Sequence, residues 1–325
     1  MSILLPIGYT RNQEANMWER IVPALPLLFL FIIGYGLKTI SFFDERGLKA
    51  IKRLVGDVAL PALLFGAFRS LEFNQRYLVL IGAIFLVCLF MLITAKRLGS
   101  LIGVKNEAFV LLMGGFEMGM LGYALFTSFY GQAHLGKMAL IDLGQVIFVF
   151  TILMALLIRQ KEQTFDFGSL LFKIITSPVM IAIILGLLAN AKILTLRQTP
   201  FTRQLEAVID ILANLTMPLI ALSIGYGIRI SKASLSSALK TIVVRKVILL
   251  GFALLLNFFV VRLWLKMDRL FEAALLLMFL MPSPFIVSIY LDDTKKELTD
   301  YVDTTLSIDT VLSIFAALGV LLLFG

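Results

Sequence analysis

Ten stretches of the chain are almost wholly apolar, at about 21–40, 54–68, 77–95, 107–129, 138–158, 170–190, 206–228, 241–264, 270–290 and 302–324. A helix crosses the bilayer core with about 20 residues at roughly 1.5 Å each. All the stretches reach that length except the second, which is about a turn short and holds Pro61. None alternates in polarity, as the ~10-residue strands of a membrane barrel do. The pattern therefore predicts an all-α membrane protein of ten transmembrane helices after an N-terminal extension, residues 1–19. No cleavable leader is expected, because a polar stretch from Thr10 to Arg20 precedes the first apolar run.

Composition strengthens that reading. The chain is 60% hydrophobic and 15% charged, whereas soluble domains run near half and a quarter. The net charge of +8 needs no nucleic acid, because membrane proteins gather Lys and Arg in their cytoplasmic loops. With ten spans both termini share a side, and 18 of the 29 basic residues fall on the other. The positive-inside tendency thus places both termini outside the cell membrane.

Enzyme chemistry finds no footing. A lone His134 excludes HExxH zinc chemistry, and a lone Cys88 excludes an internal disulfide. No GxxxxGK[ST] loop is present for ATP. Gly56-Asp57 follows Leu54-Val55, so a GxGD protease motif fails too. The sequence calls for no cofactor, and for no metal beyond a sodium site left open. The partners expected are a small solute, a proton or sodium ion and the bilayer, with a homodimer as one open arrangement.

The two halves resemble each other. Pro61 lies in Val58-Ala59-Leu60-Pro61-Ala62-Leu63-Leu64, and Pro218 in Leu215-Thr216-Met217-Pro218-Leu219-Ile220-Ala221. If these prolines correspond, the repeat is five spans long, covering 20–165 and then 166–325. An odd count inserts the second copy upside down, as in many secondary transporters, whose sites lie where helices are interrupted at mid-membrane. Span 4 carries Gly114, Gly115, Gly119 and Gly122, and span 9 carries Pro282-Ser283-Pro284. Glycine frees the backbone and proline removes a donor, so both spans are expected to break. Gly119 lies 58 residues after Pro61 and Pro282 lies 64 after Pro218, similar places in their repeats.

Of the acids within the apolar runs, four are singled out: Asp57, Glu117, Asp142 and Asp309. A charge at the bilayer centre costs about 3 kcal/mol or more. No Lys or Arg is expected comparably deep, Arg245 and Lys246 falling near the start of span 8. Glu117 stands among the glycines of the broken span, and Asp142 shares a helix face with Gln145. Such acids can carry a proton or hold a cation, or they can be plain polar clasps between helices.

The quoted motifs carry a resemblance. Ile33-Gly34-Tyr35-Gly36-Leu37-Lys38, the run Leu54 to Phe65 around Pro61, Ile141-Asp142-Leu143-Gly144-Gln145, Ser177-Pro178 through Gly186, and Met217-Pro218 through Gly225 occur in the order of the auxin efflux carriers. The chain resembles the short prokaryotic members of that family over nearly its whole length. The resemblance implies a ten-helix fold akin to bile-acid symporters and sodium/proton antiporters, with crossed broken helices 4 and 9. It also implies secondary transport of small organic anions, such as dicarboxylates or indole acetate. Where the family's span 4 commonly reads Asn-Thr-Gly-x-x-Gly-x-Pro, this chain has Glu117-Met118-Gly119-Met120-Leu121-Gly122-Tyr123-Ala124. Asp57 stands where relatives often have Asn, and Asp309 where an apolar residue is usual. The leading expectation is a proton- or sodium-coupled transporter working by alternating access. The alternative is a membrane sensor or scaffold that keeps the fold without transporting.

Overall fold

The computed structural model describes residues 25–71, 74–161, 175–191, 199–290 and 295–324, with positions 22, 168, 172 and 193 besides. The expected N-terminal extension, 1–19, and the expected repeat boundary at 165/166 lie outside the described residues.

All regular structure among the described residues is helical. In chain order the helices are α1 (Leu25–Thr39), α2 (Glu45–Leu54), α3 (Leu60–Arg69), α4 (Leu78–Ile102), α5 (Ala108–Met113), α6 (Tyr123–Tyr130), α7 (Leu135–Phe148), α8 (Met154–Lys161), α9 (Pro178–Asn190), α10 (Pro200–Asn214), α11 (Thr216–Gly227), α12 (Leu235–Leu255), α13 (Arg269–Phe279), α14 (Ile286–Tyr290) and α15 (Lys296–Phe324). Wider π turns at Val55–Ala59, Met118–Gly122, Val149–Leu153 and Leu256–Trp264 join or extend neighbouring helices.

Among the described residues, five continuous helical stretches are long and apolar enough to cross a membrane: Gln75–Ile102, Gln132–Arg159, Pro200–Gly227, Leu235–Trp264 and Lys296–Phe324. They coincide with the third, fifth, seventh, eighth and tenth apolar runs. The fourth run is divided between α5 and α6, and the ninth between α13 and α14, which leaves each piece short. The second run is α3 and the π turn before it, and Pro61 stands where that wider turn passes into α3, its missing N–H removing one bond from the continuous ladder. Helix α2, ahead of that turn, is an amphipathic connector capped by Asp44, whose side chain accepts from the Gly47 N–H.

The helices pack in two groups. α1 lies along α11, and α3 lies against both α9 and α10. In the second group α4 lies along α7, α12 along α15, and α13 against α7, α12 and α15. Small residues let the backbones approach. A Cβ on Gly34 of α1 would fall 2.3 Å from the Leu222 carbonyl oxygen, and one on Gly225 of α11 would fall 2.2 Å from that of Phe31. The stretch Gln132–Arg159 is the interior member, 61% of its most apolar window being buried, against 22% for Leu235–Trp264. Both broken helices lie against this interior.

Candidate functional site

The first break begins where α5 ends at Met113. Gly114 is extended (φ −97°, ψ 140°) and Gly115 takes a left-handed conformation at φ 76°. L side chains avoid that region, and space excludes one as well. A Cβ on Gly115 would meet Pro284 Cγ at 3.0 Å and Val149 Cγ2 at 3.1 Å. Helical backbone resumes after Glu117, through the π turn Met118–Gly122 into α6. The second break runs over 280–285, between α13 and α14, and holds Pro282-Ser283-Pro284.

The two breaks are bonded to each other. The Glu117 N–H donates to the Pro282 carbonyl at 2.9 Å. Ser283 Oγ donates to the Leu112 carbonyl at 2.5 Å, and Ser283 is fully buried. Interrupted helices leave polar backbone groups that need partners, and each break supplies some of the other's.

Glu117 supplies more. Its Oε1 accepts from the Met120 N–H at 2.8 Å, at the start of its own resumed helix. Its Oε2 accepts from the Phe285 N–H at 2.5 Å, just ahead of α14. One buried carboxylate thus caps the resumption of both broken helices.

The opposite ends, where α5 and α13 stop, are served by cations. Arg245, fully buried on α12, donates from Nη1 to the Met281 carbonyl at 2.8 Å and from Nη2 to the Gly115 carbonyl at 2.6 Å. Its guanidinium lies 5.5 Å from the Phe116 ring centroid. Lys246 donates to the Leu280 carbonyl at 2.7 Å and to Ser313 Oγ at 2.8 Å. Asp309 of α15, 1% exposed, faces both cations, 2.7 Å from Lys246 Nζ and 3.7 Å from Arg245 Nη1. The result corrects the expectation that no base lies deep. Arg245 and Lys246 are near the start of their apolar run in sequence, but their long side chains point inward to the breaks.

A third cluster lies on α7. Gln145 Oε1 accepts from the freed Phe116 N–H at 3.3 Å. Asp142, 2% exposed, accepts from the Tyr123 hydroxyl at 3.0 Å through Oδ2, while its Oδ1 has no hydrogen-bond partner among the described residues.

Of the residues picked from the sequence, the structure brings together Gly114, Gly115, Glu117, Gln145, Pro282, Ser283, Pro284 and Asp309, with Asp142 beside them. Gly119 lies one turn on, close to Leu60, and Gly122 lies against Met118. Asp57 is a correction. It is exposed and pairs with Arg53 at 3.1 Å on its own helix face, and it is bonded to neither break. Pro61 and Pro218 stand at helix joints outside the crossing, Pro218 in the first turn of α11. Sequence reasoning missed Arg245, Lys246, Ser313 and Tyr123. The signal for the first two was present: an acid in the apolar run of α15 needs a cation, and Arg245-Lys246 is a basic pair inside another apolar run.

Between α6, α3 and the joint of α10 with α11 lies a cavity of about 130 Å³ lined by Leu63, Thr127, Ser128, Gln132, Asn214 and Thr216, among others. Gln132 Nε2 donates to Asn214 Oδ1 at 2.5 Å across it, and the buried Thr216 hydroxyl has no partner among the described residues. This is room for a small polar solute or water next to a broken helix.

No curated protein matches the chain significantly. Over residues 20–289, however, it matches the family model described as membrane transport protein. A match over that much of the chain, carried by helices apolar enough to cross a membrane, shows that the protein belongs to this family of membrane transporters, that of the auxin efflux carriers.

Proposed function

We propose that the protein is a secondary transporter of small organic anions, working by alternating access in the cytoplasmic membrane with one proton carried through Glu117. The carrying observation is the seat of the Glu117 carboxylate on the N–H groups of Met120 and Phe285. A substrate carboxylate arriving at the crossing seeks donors of the same kind. While Glu117 is ionised it fills them and repels the newcomer. Once protonated, it releases them and becomes a donor itself, so proton and anion bind together.

Protons fit better than sodium. Unwound carbonyls coordinate sodium in many transporters, but here Arg245 and Lys246 take the carbonyls of Gly115, Met281 and Leu280. Two tethered cations stand where a free one would be needed. Ten spans in two inverted five-helix repeats suit this mechanism, and the packing supports them. The first apolar run pairs with the seventh as the sixth pairs with the second, and the third with the fifth as the eighth with the tenth. Such pairings are what an inverted repeat produces. In this reading both termini face outside, and Glu117, Asp142, Gln145, Ser283 and Asp309 form the working centre.

The test is uptake of radiolabelled small carboxylates into proteoliposomes under an imposed pH gradient. Glu117→Gln mimics the protonated state, so it retains anion binding and loses the pH dependence of transport. If transport and its pH profile are unchanged in Glu117→Gln, Glu117 is a packing residue and the proton must ride elsewhere, Asp142 first. Replacing sodium by choline leaves wild-type transport unaltered; a strict sodium requirement contradicts the proton reading.

A further inference from the structure

At the end of the bundle that carries the 40–44 and 228–234 connections, three cations converge. Lys38, at the end of α1, donates through Nζ to the carbonyl of Ile228, just past α11. Arg229 follows, and its charge acts on both Lys38 and Lys52. Lys52 belongs to the last turn of the connector α2, whose Arg46, Lys49 and Arg53 are exposed while Lys52 turns inward. Its Nζ would lie 3.8 Å from a Cβ built on Gly227.

Burial pushes the Lys52 ammonium down from the usual lysine value; Asp303 pulls it back up, and Arg229 lowers it further. Glu117 also acts on it, so this ammonium lies within electrostatic reach of the crossing. Asp303 accepts from Ser288 Oγ at 2.9 Å. No carboxylate among the described residues forms an ion pair with Lys52. A half-buried ammonium with no paired carboxylate among the described residues, set beside two further cations, is a seat for one.

We propose that Lys52, backed by Lys38 and Arg229, receives the carboxylate of the transported anion before it reaches the crossing, and so selects anions at this mouth of the protein. The inference rests on the transport reading above, and its test does not require transport.

Gly227 has room for a side chain beside Lys52, so Gly227→Cys places a reporter thiol there. Native Cys88 is buried and stays silent. The full chain in permeabilised vesicles is treated with an anionic reagent, methanethiosulfonate ethylsulfonate, and with its cationic trimethylammonium counterpart. Each rate is divided by that reagent's rate with a small free thiol, and taking the ratio of the two normalised rates cancels any change in the reactivity of the thiol itself. The anionic reagent reacts about tenfold faster, the low end of electrostatic focusing in a charged cleft. Adding Lys52→Gln brings the ratio near one, and adding Lys52→Arg preserves it. A ratio at or below one with Lys52 present, a ratio untouched by Lys52→Gln, or no reaction with either reagent overturns the proposal. Failure here beside a positive Glu117→Gln result removes only the receiving site. The reverse outcome keeps the charged mouth and removes the proton coupling.

Discussion

The two breaks lie against each other yet are built from different chemistry. The first, 114–117, is Gly-Gly-Phe-Glu, and it bends because glycine permits φ of 76°. The second bends at Pro-Ser-Pro, where each proline also deletes an N–H that would otherwise need a partner. The glycine break consequently has more loose ends, and other helices tie them. Gln145 takes the N–H of Phe116, and Arg245 takes the carbonyl of Gly115. The proline break largely receives, with Ser283 as its own contribution. The ionisable group of the pair is therefore on the first break alone. In the proton-coupled reading proposed above, the glycine side is the one that changes state and the proline side serves as a fixed wall.

Charge sharpens the contrast. A carboxylate serves the two helix starts, and two cations serve the two helix ends, which is the arrangement helix dipoles favour. The most deeply buried of these groups is Arg245, fully enclosed, while Lys246 and Glu117 keep some exposure. Its removal carries the largest expected effect. Arg245→Met leaves the Gly115 and Met281 carbonyls without donors and weakens the balance at Asp309. A loss of about 3–5 kcal/mol follows, in the range for breaking a buried ionic network by removing one partner. Melting in detergent micelles reads it. A loss under about 1 kcal/mol would mean the carbonyls find other donors and the cations do not hold the crossing.

The carboxylate side comes next. Glu117→Ala removes the acceptor from two backbone N–H groups, at about 1 kcal/mol each by analogy with helix caps. Glu117→Gln keeps one oxygen acceptor and loses less. If Glu117→Ala destabilises more than Arg245→Met in the same micelles, the ranking of the two sides is reversed.

The breaks were legible in the sequence because glycines and a Pro-Ser-Pro motif interrupt otherwise continuous apolar runs, and no soluble loop explains them. Glu117 was legible for the same reason, as an acid where hydrocarbon is expected. What failed was direction. Arg245 and Lys246 stand near a span end, where long basic chains usually reach out to water, and sequence position says nothing of which way they turn. Asp57 failed in the opposite sense. It too stands near the start of its apolar run, yet its carboxylate stays exposed and meets Arg53 four residues earlier on the same helix. Tyr123 could not be found by pattern at all, since its importance is a hydrogen bond to Asp142 formed only by packing α6 on α7.

The glycine side can also be tested through its backbone. Gly115→Ala forces a left-handed conformation costing about 1–2 kcal/mol and pushes a methyl against Pro284 and Val149. Gly103, also left-handed at φ 72°, has nothing within 4 Å of a built Cβ, so Gly103→Ala isolates the backbone penalty. Gly115→Ala is expected to lose more than Gly103→Ala in the same melting assay. Equal losses would show that the second break yields to the methyl and is no fixed wall.

The smallest expected effect lies at the far end of α13, where the same helix that stops at a buried break starts beside water. There Asp268 caps the helix, its Oδ1 accepting from Leu270 and Phe271, and it pairs with Lys137. Partial burial works to raise the carboxyl, but the hydrogen bonds from Lys137 and the two backbone N–H groups outweigh it and hold it below the usual aspartate value. A carboxyl lowered by folding contributes stability above its unfolded value, near pH 4, and the contribution is lost as pH falls through the lowered folded value. Asn caps about as well as Asp, so Asp268→Asn removes the charge and little else. Exposure screens the pair, leaving a gap of about 0.5 kcal/mol between wild type and Asp268→Asn at neutral pH. That gap should hold down to about pH 4 and close below it. A gap that persists undiminished well below that range would assign the stabilisation to the cap's shape, and the start of α13 would then owe nothing to charge, unlike its buried end.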